Sequence, residues 1–120
     1  MIRIKRVYED VDLAADGKRF LVDRLWPRGK SKESLQIVAW VKAASPSNDL
    51  RKWYGHDPAK WEEFRHRYGA ELDADPEGWA PLLEAAREGD ITLLYSSKET
   101  QINNAAALKI YLEDQLSKSS

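Results

Sequence analysis

A chain of 120 residues, 42% hydrophobic and 32% charged with five tryptophans, has the size and composition of one globular domain with a polar surface. Its net charge of −1 argues against a protein coated for nucleic-acid binding. It has no cysteine, which excludes disulfides, thiolate zinc sites and a cysteine nucleophile.

The charge is unevenly placed. Residues 1–32 carry nine Lys/Arg against five Asp/Glu, and residues 33–120 carry ten against fifteen. A local basic site in an otherwise acidic domain fits this split. No apolar run is long enough to span a membrane. Residues 1–8 alternate and lack the apolar core of a signal peptide. The expectation is a cytoplasmic protein without membrane contact, forming a single α/β domain over residues 1–120.

In chain order, Ile2 and Ile4 alternate with Arg3 and Lys5, a period of two that predicts a strand. Residues 9–17 are acidic and end on Asp16-Gly17, a turn signal. Phe20, Leu21 and Val22 form an unbroken apolar run inside a second strand over 18–25, the mark of burial on both faces. Pattern leaves open whether these two strands form a hairpin or lie parallel. Pro27 lacks an amide hydrogen and ends ladder pairing, and Gly29 takes backbone angles closed to other residues. Residues 29–36 read as a polar loop, and residues 37–41 as a short strand or packed segment.

The middle of the chain reads as helical. Ser47 or Asn48 caps a short helix through Tyr54. Asp57-Pro58 starts a second helix, to about Leu72, with Trp61, Phe64, Tyr68 and Leu72 on one stripe. Asp75-Pro76 repeats the start signal, Trp79, Leu82, Leu83 and Ala86 supply the next stripe, and Gly89 ends it. Residues 91–95 form a strongly buried strand and residues 96–100 the loop after it. The last helix spans 102–116, followed by the polar tail 117–120. The fold class is α/β: a small, mostly parallel sheet of three to four strands flanked by helices, which concentrate in residues 47–88 and 102–116.

Three polar clusters follow apolar runs, where open α/β sheets place their sites. Asp23, Arg24 and Arg28, with Lys30 and Lys32, make the first. Arginine's planar fork suits phosphate or carboxylate; the blander reading pairs Asp23 with one arginine and leaves the rest solvated. The second is Lys42, Ser45, Arg51, Trp53 and His56, around a helix N-terminus at residues 47–49 whose free amides favour anions. His56 is a possible general acid or base, or simply a turn residue. The third is Tyr95, Ser96, Ser97, Lys98, Asn103 and Asn104, a strand-loop-helix junction without the Walker or dinucleotide glycine pattern. Trp26, Trp40 and Trp53 flank these clusters as pocket walls or core. His66 reads as a surface residue. No metal-ligand spacing occurs, and no cofactor is expected.

Leu21-Val22-Asp23-Arg24-Leu25-Trp26-Pro27-Arg28-Gly29, then Lys32-Glu33, Trp40 and Lys42, closely resemble the YeaO-like branch of domain-of-unknown-function family 488. So do Ser45-Pro46-Ser47, the run from Leu50 to Pro58, the pair Trp61 and Phe64, and the last motif, Leu93-Leu94-Tyr95-Ser96 with Lys98 and Asn103. The resemblance covers nearly the whole chain. It implies a small cytosolic α/β domain, and no activity. Ser97 stands where the family commonly has alanine, Glu99 where it has aspartate, and Asn104 where it has histidine or glutamine. The Asn104 change argues against a catalytic histidine in that loop. Some relatives carry a cysteine near the last strand, and none exists here.

The leading expectation is a domain that binds a phosphorylated or otherwise anionic, nucleotide-like small molecule, with its status as an enzyme open. Arg24, Arg28, Lys42, Arg51, Trp53, Ser96, Lys98 and Asn103 are the candidate binding residues. Asp23 and His56 are the candidate catalytic pair. A nucleic-acid-binding module using the same arginines is the alternative, and a protein-interaction domain without a ligand is the second alternative. Oligomeric state is open.

Overall fold

The computed structural model describes residues 1–118, so the end of the polar tail, residues 119–120, lies outside the described residues. Among the described residues four strands form one sheet: β1 (Ile2–Arg6), β2 (Lys18–Leu21), β3 (Ala39–Trp40) and β4 (Ile91–Tyr95). Every pairing is parallel, in the order β1-β4-β2-β3. The hairpin alternative for the first two strands therefore fails. The last strand in sequence inserts between them, with Ile4 opposite Leu93 on one side and Leu21 opposite Leu94 on the other.

β4 is buried at all five positions, as a central parallel strand covered on both faces must be. β2 stops four residues earlier than the pattern predicts, although the Val22 amide still donates to the Leu94 carbonyl at 3.1 Å. β3 shrinks to two exposed residues at the sheet edge. There the backbone needs pairing on one side only, so little apolar pattern is required.

Among the described residues six α-helices surround the sheet: α1 (Leu13–Asp16), α2 (Lys32–Leu35), α3 (Asn48–Tyr54), α4 (Trp61–Ala74), α5 (Pro76–Glu88) and α6 (Asn104–Lys118). Side chains alternate across a strand, and the two faces of the sheet have separate cores. Phe20, Val22, Leu93 and Tyr95 join Phe64, Tyr68 and Leu72 of α4, Trp79 and Leu82 of α5, and Leu108 and Leu112 of α6. Leu21, Leu94 and Val7 pack with Leu35 of α2 on the opposite face. Each of these fully buried large side chains contributes on the order of 1.5–3 kcal/mol. α3 carries the expected Ser47 cap, whose hydroxyl accepts from the Leu50 amide. Ser117 and Lys118 belong to α6 rather than to a tail. No helix among the described residues is long and apolar enough to cross a membrane.

The acidic stretch before β2 is a single helical turn, α1, instead of a plain loop. Asp12 caps it by accepting from the Ala15 amide at 3.3 Å. Gly17 closes it with φ +65°, and a β-carbon there would lie 2.1 Å from the Asp90 carbonyl oxygen. That turn drives Asp16 inward, against the second sheet face. Its carboxylate accepts from Arg19 Nη1 at 2.5 Å, Lys5 Nζ at 3.2 Å and the Asp12 amide at 3.2 Å. Arg19 is 1% exposed, and its Nε donates to the Leu35 carbonyl at 2.9 Å.

Burial favours the neutral acid at Asp16, but the Asp12 amide, Arg19 and Lys5 together outweigh it, and the carboxyl is held below its ordinary value of 3.8. A carboxyl depressed in the folded state adds stability that is present above the unfolded value and lost as pH falls through the folded one. Asp16→Asn strands the Arg19 charge in the interior and is expected to cost about 3–5 kcal/mol in urea unfolding at neutral pH. The acid-induced fall in wild-type stability that begins near pH 3.8 will be smaller in this variant. A variant as stable as wild type at neutral pH, with the same acid-induced fall, would show that the pair carries no weight.

Candidate functional site

The site begins where β2 and β4 end. Leu21 lies opposite Leu94, so two residues further on Asp23 meets Ser96. Asp23 Oδ2 accepts from the Ser96 amide at 2.9 Å and the Ser96 hydroxyl at 2.7 Å. Asn104 Nδ2, in the first turn of α6, donates to Asp23 Oδ1 and to the Val22 carbonyl, each at 3.1 Å. Trp40 Nε1 donates to the Asp23 carbonyl at 2.7 Å. Every donor to the Asp23 side chain is neutral. Among the described residues it forms no ion pair with an arginine, so the blander expectation of an Asp23–Arg pair is not what the fold builds.

A cavity of about 150 Å³ opens above this junction. Asp23, Arg24, Arg51, His56, Ser96, Ser97 and Asn104 line it, and Leu25, Pro46, Tyr54 and Phe64 supply apolar surface. Members of all three sequence clusters thus converge. Arg24 is half-buried, and its Nε donates to the Pro46 carbonyl at 3.3 Å. Arg51 is exposed and donates to Asn48 Oδ1 at 2.8 Å. Neither guanidinium is in an ion pair among the described residues.

His56 follows Gly55, the left-handed C-cap of α3, and is itself left-handed at φ +57°. For a side-chain-bearing residue this costs on the order of 1–2 kcal/mol. The turn brings its ring edge-on to Tyr54, 5.7 Å between centroids. Tyr54 stacks on Phe64 at 4.1 Å and donates its hydroxyl to the Ile102 carbonyl at 2.6 Å. Burial, with Glu99 and Asp57, pushes the Tyr54 hydroxyl up to about 12, so it stays a donor at neutral pH. The Gln101 and Ile102 amides, with a smaller contribution from His56, hold the Glu99 carboxyl below its usual range.

Other expected site residues lie outside the cavity lining. Arg28 is exposed, and its carbonyl accepts from the Tyr8 hydroxyl at 3.0 Å. Lys42 Nζ sits over the Trp40 ring at 5.3 Å, and Trp40 meets Trp26 edge-on at 5.4 Å. Trp53 lies under Arg67 at 4.3 Å and Lys60 at 5.0 Å. Lys98 is exposed. Asn103 is fully buried and caps α6, accepting from the Ala106 amide at 2.8 Å and donating to the Glu99 carbonyl at 2.9 Å. The α3 N-terminus already holds an anion of the protein's own: Glu71 accepts from the Ser47 amide at 2.8 Å and from its hydroxyl at 2.6 Å.

Sequence reasoning passed over Arg6. It ends β1 in register with Tyr95, and its Nε and Nη2 donate to the Ser97 and Ser96 carbonyls at 2.8 and 3.2 Å. The signal was the alternation of β1, but it became legible only once β4 was known to lie beside it. Among the described residues, no group of three or more His, Asp or Glu converges as a metal site would.

Asn104→Ala removes both bonds from Nδ2 and leaves the Val22 carbonyl and one side of Asp23 unsatisfied. It is expected to cost about 1–3 kcal/mol in urea unfolding. An unchanged midpoint would show that this amide does not brace the junction.

Comparison with known proteins places the whole chain. A family model described as the inactive DUF488-N3 subclade matches residues 1–120. The uncharacterised protein YeaO of Escherichia coli (strain K12) is 40% identical over 111 residues, 92% of this chain and 96% of the relative. An uncharacterised protein of Mycobacterium tuberculosis (strain ATCC 25618 / H37Rv) is 38% identical over 107 residues, 89% of each chain. An uncharacterised protein of Mycobacterium bovis gives the same figures. No solved structure gives a significant match.

Proposed function

The chain belongs to the inactive DUF488-N3 subclade, and from that premise we propose that it binds a small anionic molecule at the carboxyl ends of β2 and β4 without turning it over. The observation that carries this reading is that Arg24 and Arg51, both free of ion pairs among the described residues, line the same cavity. An arginine left without a carboxylate in a concave site is available for one. The His56 ring takes no hydrogen bond among the described residues and so lacks the orienting partner of a general base. Asp23 already accepts three hydrogen bonds from Ser96 and Asn104, which hold it as a carboxylate acceptor. Both features support binding over catalysis and accord with the subclade's description.

A volume of about 150 Å³ is below the roughly 300 Å³ at which drug-sized pockets begin. It suits a single anionic group or a very small molecule. A nucleotide would place its phosphate inside and its base and sugar outside. A nucleic-acid partner would instead engage the exposed Arg28 and Lys32 and show a steep fall of affinity with salt.

The test is calorimetric titration of the protein with inorganic phosphate and with small carboxylates. Loss of one charge-assisted contact is worth about 1.5–3 kcal/mol, so Arg24→Ala and Arg51→Ala are each expected to weaken binding by about ten- to a hundredfold. Arg51→Ala should leave the unfolding free energy within about 0.5 kcal/mol of wild type, because the residue is exposed. Arg28→Ala serves as the control and should bind like wild type. Binding unchanged in both cavity variants would overturn the assignment.

A further inference from the structure

The cavity that presents Arg24 and Arg51 also contains an acid in its wall. A carboxylate offers about four lone-pair positions. Those on Asp23 Oδ2 are taken by the Ser96 amide and hydroxyl, while among the described residues Oδ1 accepts from Asn104 alone. One acceptor position on Oδ1 therefore remains, and none of the three donors carries a charge. No lysine or arginine among the described residues neutralises this carboxylate. Its field reaches the Tyr68 hydroxyl, which is pushed up by burial first and then by Asp23 and Glu71.

Resting on the anion-site reading above, we infer that the preferred ligand is a small zwitterion: an amine that also carries carboxylate or phosphate groups. The ammonium group donates to Asp23 Oδ1, and the acidic group or groups face Arg24 and Arg51. A plain anion meets Asp23 as a like charge inside a half-enclosed space, where water screens it poorly. A plain cation meets the two guanidiniums. Only a molecule bearing both signs satisfies all three groups, and one carrying two acidic groups and one amine matches them in number. The volume, about 150 Å³, is one that accepts a benzene-sized molecule, which fits amino acids and amino-phosphonates.

Matched pairs of probes isolate the amine. L-Aspartate and succinate share two carboxylates and differ in the ammonium group, and aminomethylphosphonate and methylphosphonate differ in the same way. In calorimetric titration near neutral pH, the amine-bearing member of each pair is expected to bind the wild-type protein at least tenfold more tightly. That preference should collapse in Asp23→Asn, which keeps a side chain of the same size but removes the charge. The wild-type comparison stands even if the variant folds poorly. If succinate and methylphosphonate bind as tightly as their amine partners, and Arg24→Ala and Arg51→Ala weaken them, the zwitterion inference is overturned while the anion site stands. If no member of either pair binds, both readings fall.

Discussion

The carboxylate of Asp23 is the tie on which the working end of the molecule depends. β2 and β4 are parallel neighbours, and their chains would otherwise part beyond the last ladder bond at Val22. Asp23 reaches across the gap to the amide and hydroxyl of Ser96, and Asn104 closes the third side from α6. Arg6 grips the same loop from the other neighbour of β4, through the Ser96 and Ser97 carbonyls. Three strand ends and one helix start are thereby held at one point. The cavity lies over that point because the loops leaving it diverge.

The treatment of three carboxylates separates scaffold from site. Asp16 is buried and compensated by two cations, Arg19 and Lys5. Glu71 is spent on the amide and hydroxyl that open α3. Among the described residues, Asp23 is held by neutral donors alone. The arginines divide in the same way. Arg19 is locked against Asp16 and a backbone carbonyl, whereas Arg24 and Arg51 hold only a carbonyl and an amide oxygen between them. Charge is cancelled where water is excluded, because an unpaired buried ion is costly. It is left uncancelled where the cavity opens to solvent.

Apolar packing builds one wall at this end of the fold, and exposed polar residues form its rim. Tyr54 and Phe64 stack as part of the main core, and the Ile102 carbonyl anchors the Tyr54 hydroxyl. Arg51 and His56 stand on the exposed rim of that wall, with His56 presented by a left-handed turn. The Trp26–Trp40 pair, by contrast, braces the sheet edge through the Asp23 and Lys30 carbonyls and stays outside the cavity.

Much of the architecture was legible in the sequence. The unbroken apolar run of β4, the stripe of Trp61, Phe64, Tyr68 and Leu72, and the Asp-Pro starts near residues 57 and 75 are local signals, and local physics honours them. The three polar clusters were legible as well, since each follows an apolar run. The single-turn helices α1 and α2 were not, because four residues are too few to show a period. Composition and spacing thus determined a small parallel α/β domain with arginines near strand ends. Only the tertiary structure decided that β4 lies between β1 and β2. That one insertion brings Ser96 to Asp23 and Arg6 to the loop, and the packing of the chain places Arg24 in the same cavity as Arg51 with Arg28, Lys42 and Lys98 outside its lining. Strand order depends on contacts between residues about 70 to 90 positions apart, and no local pattern encodes a pairing at that range.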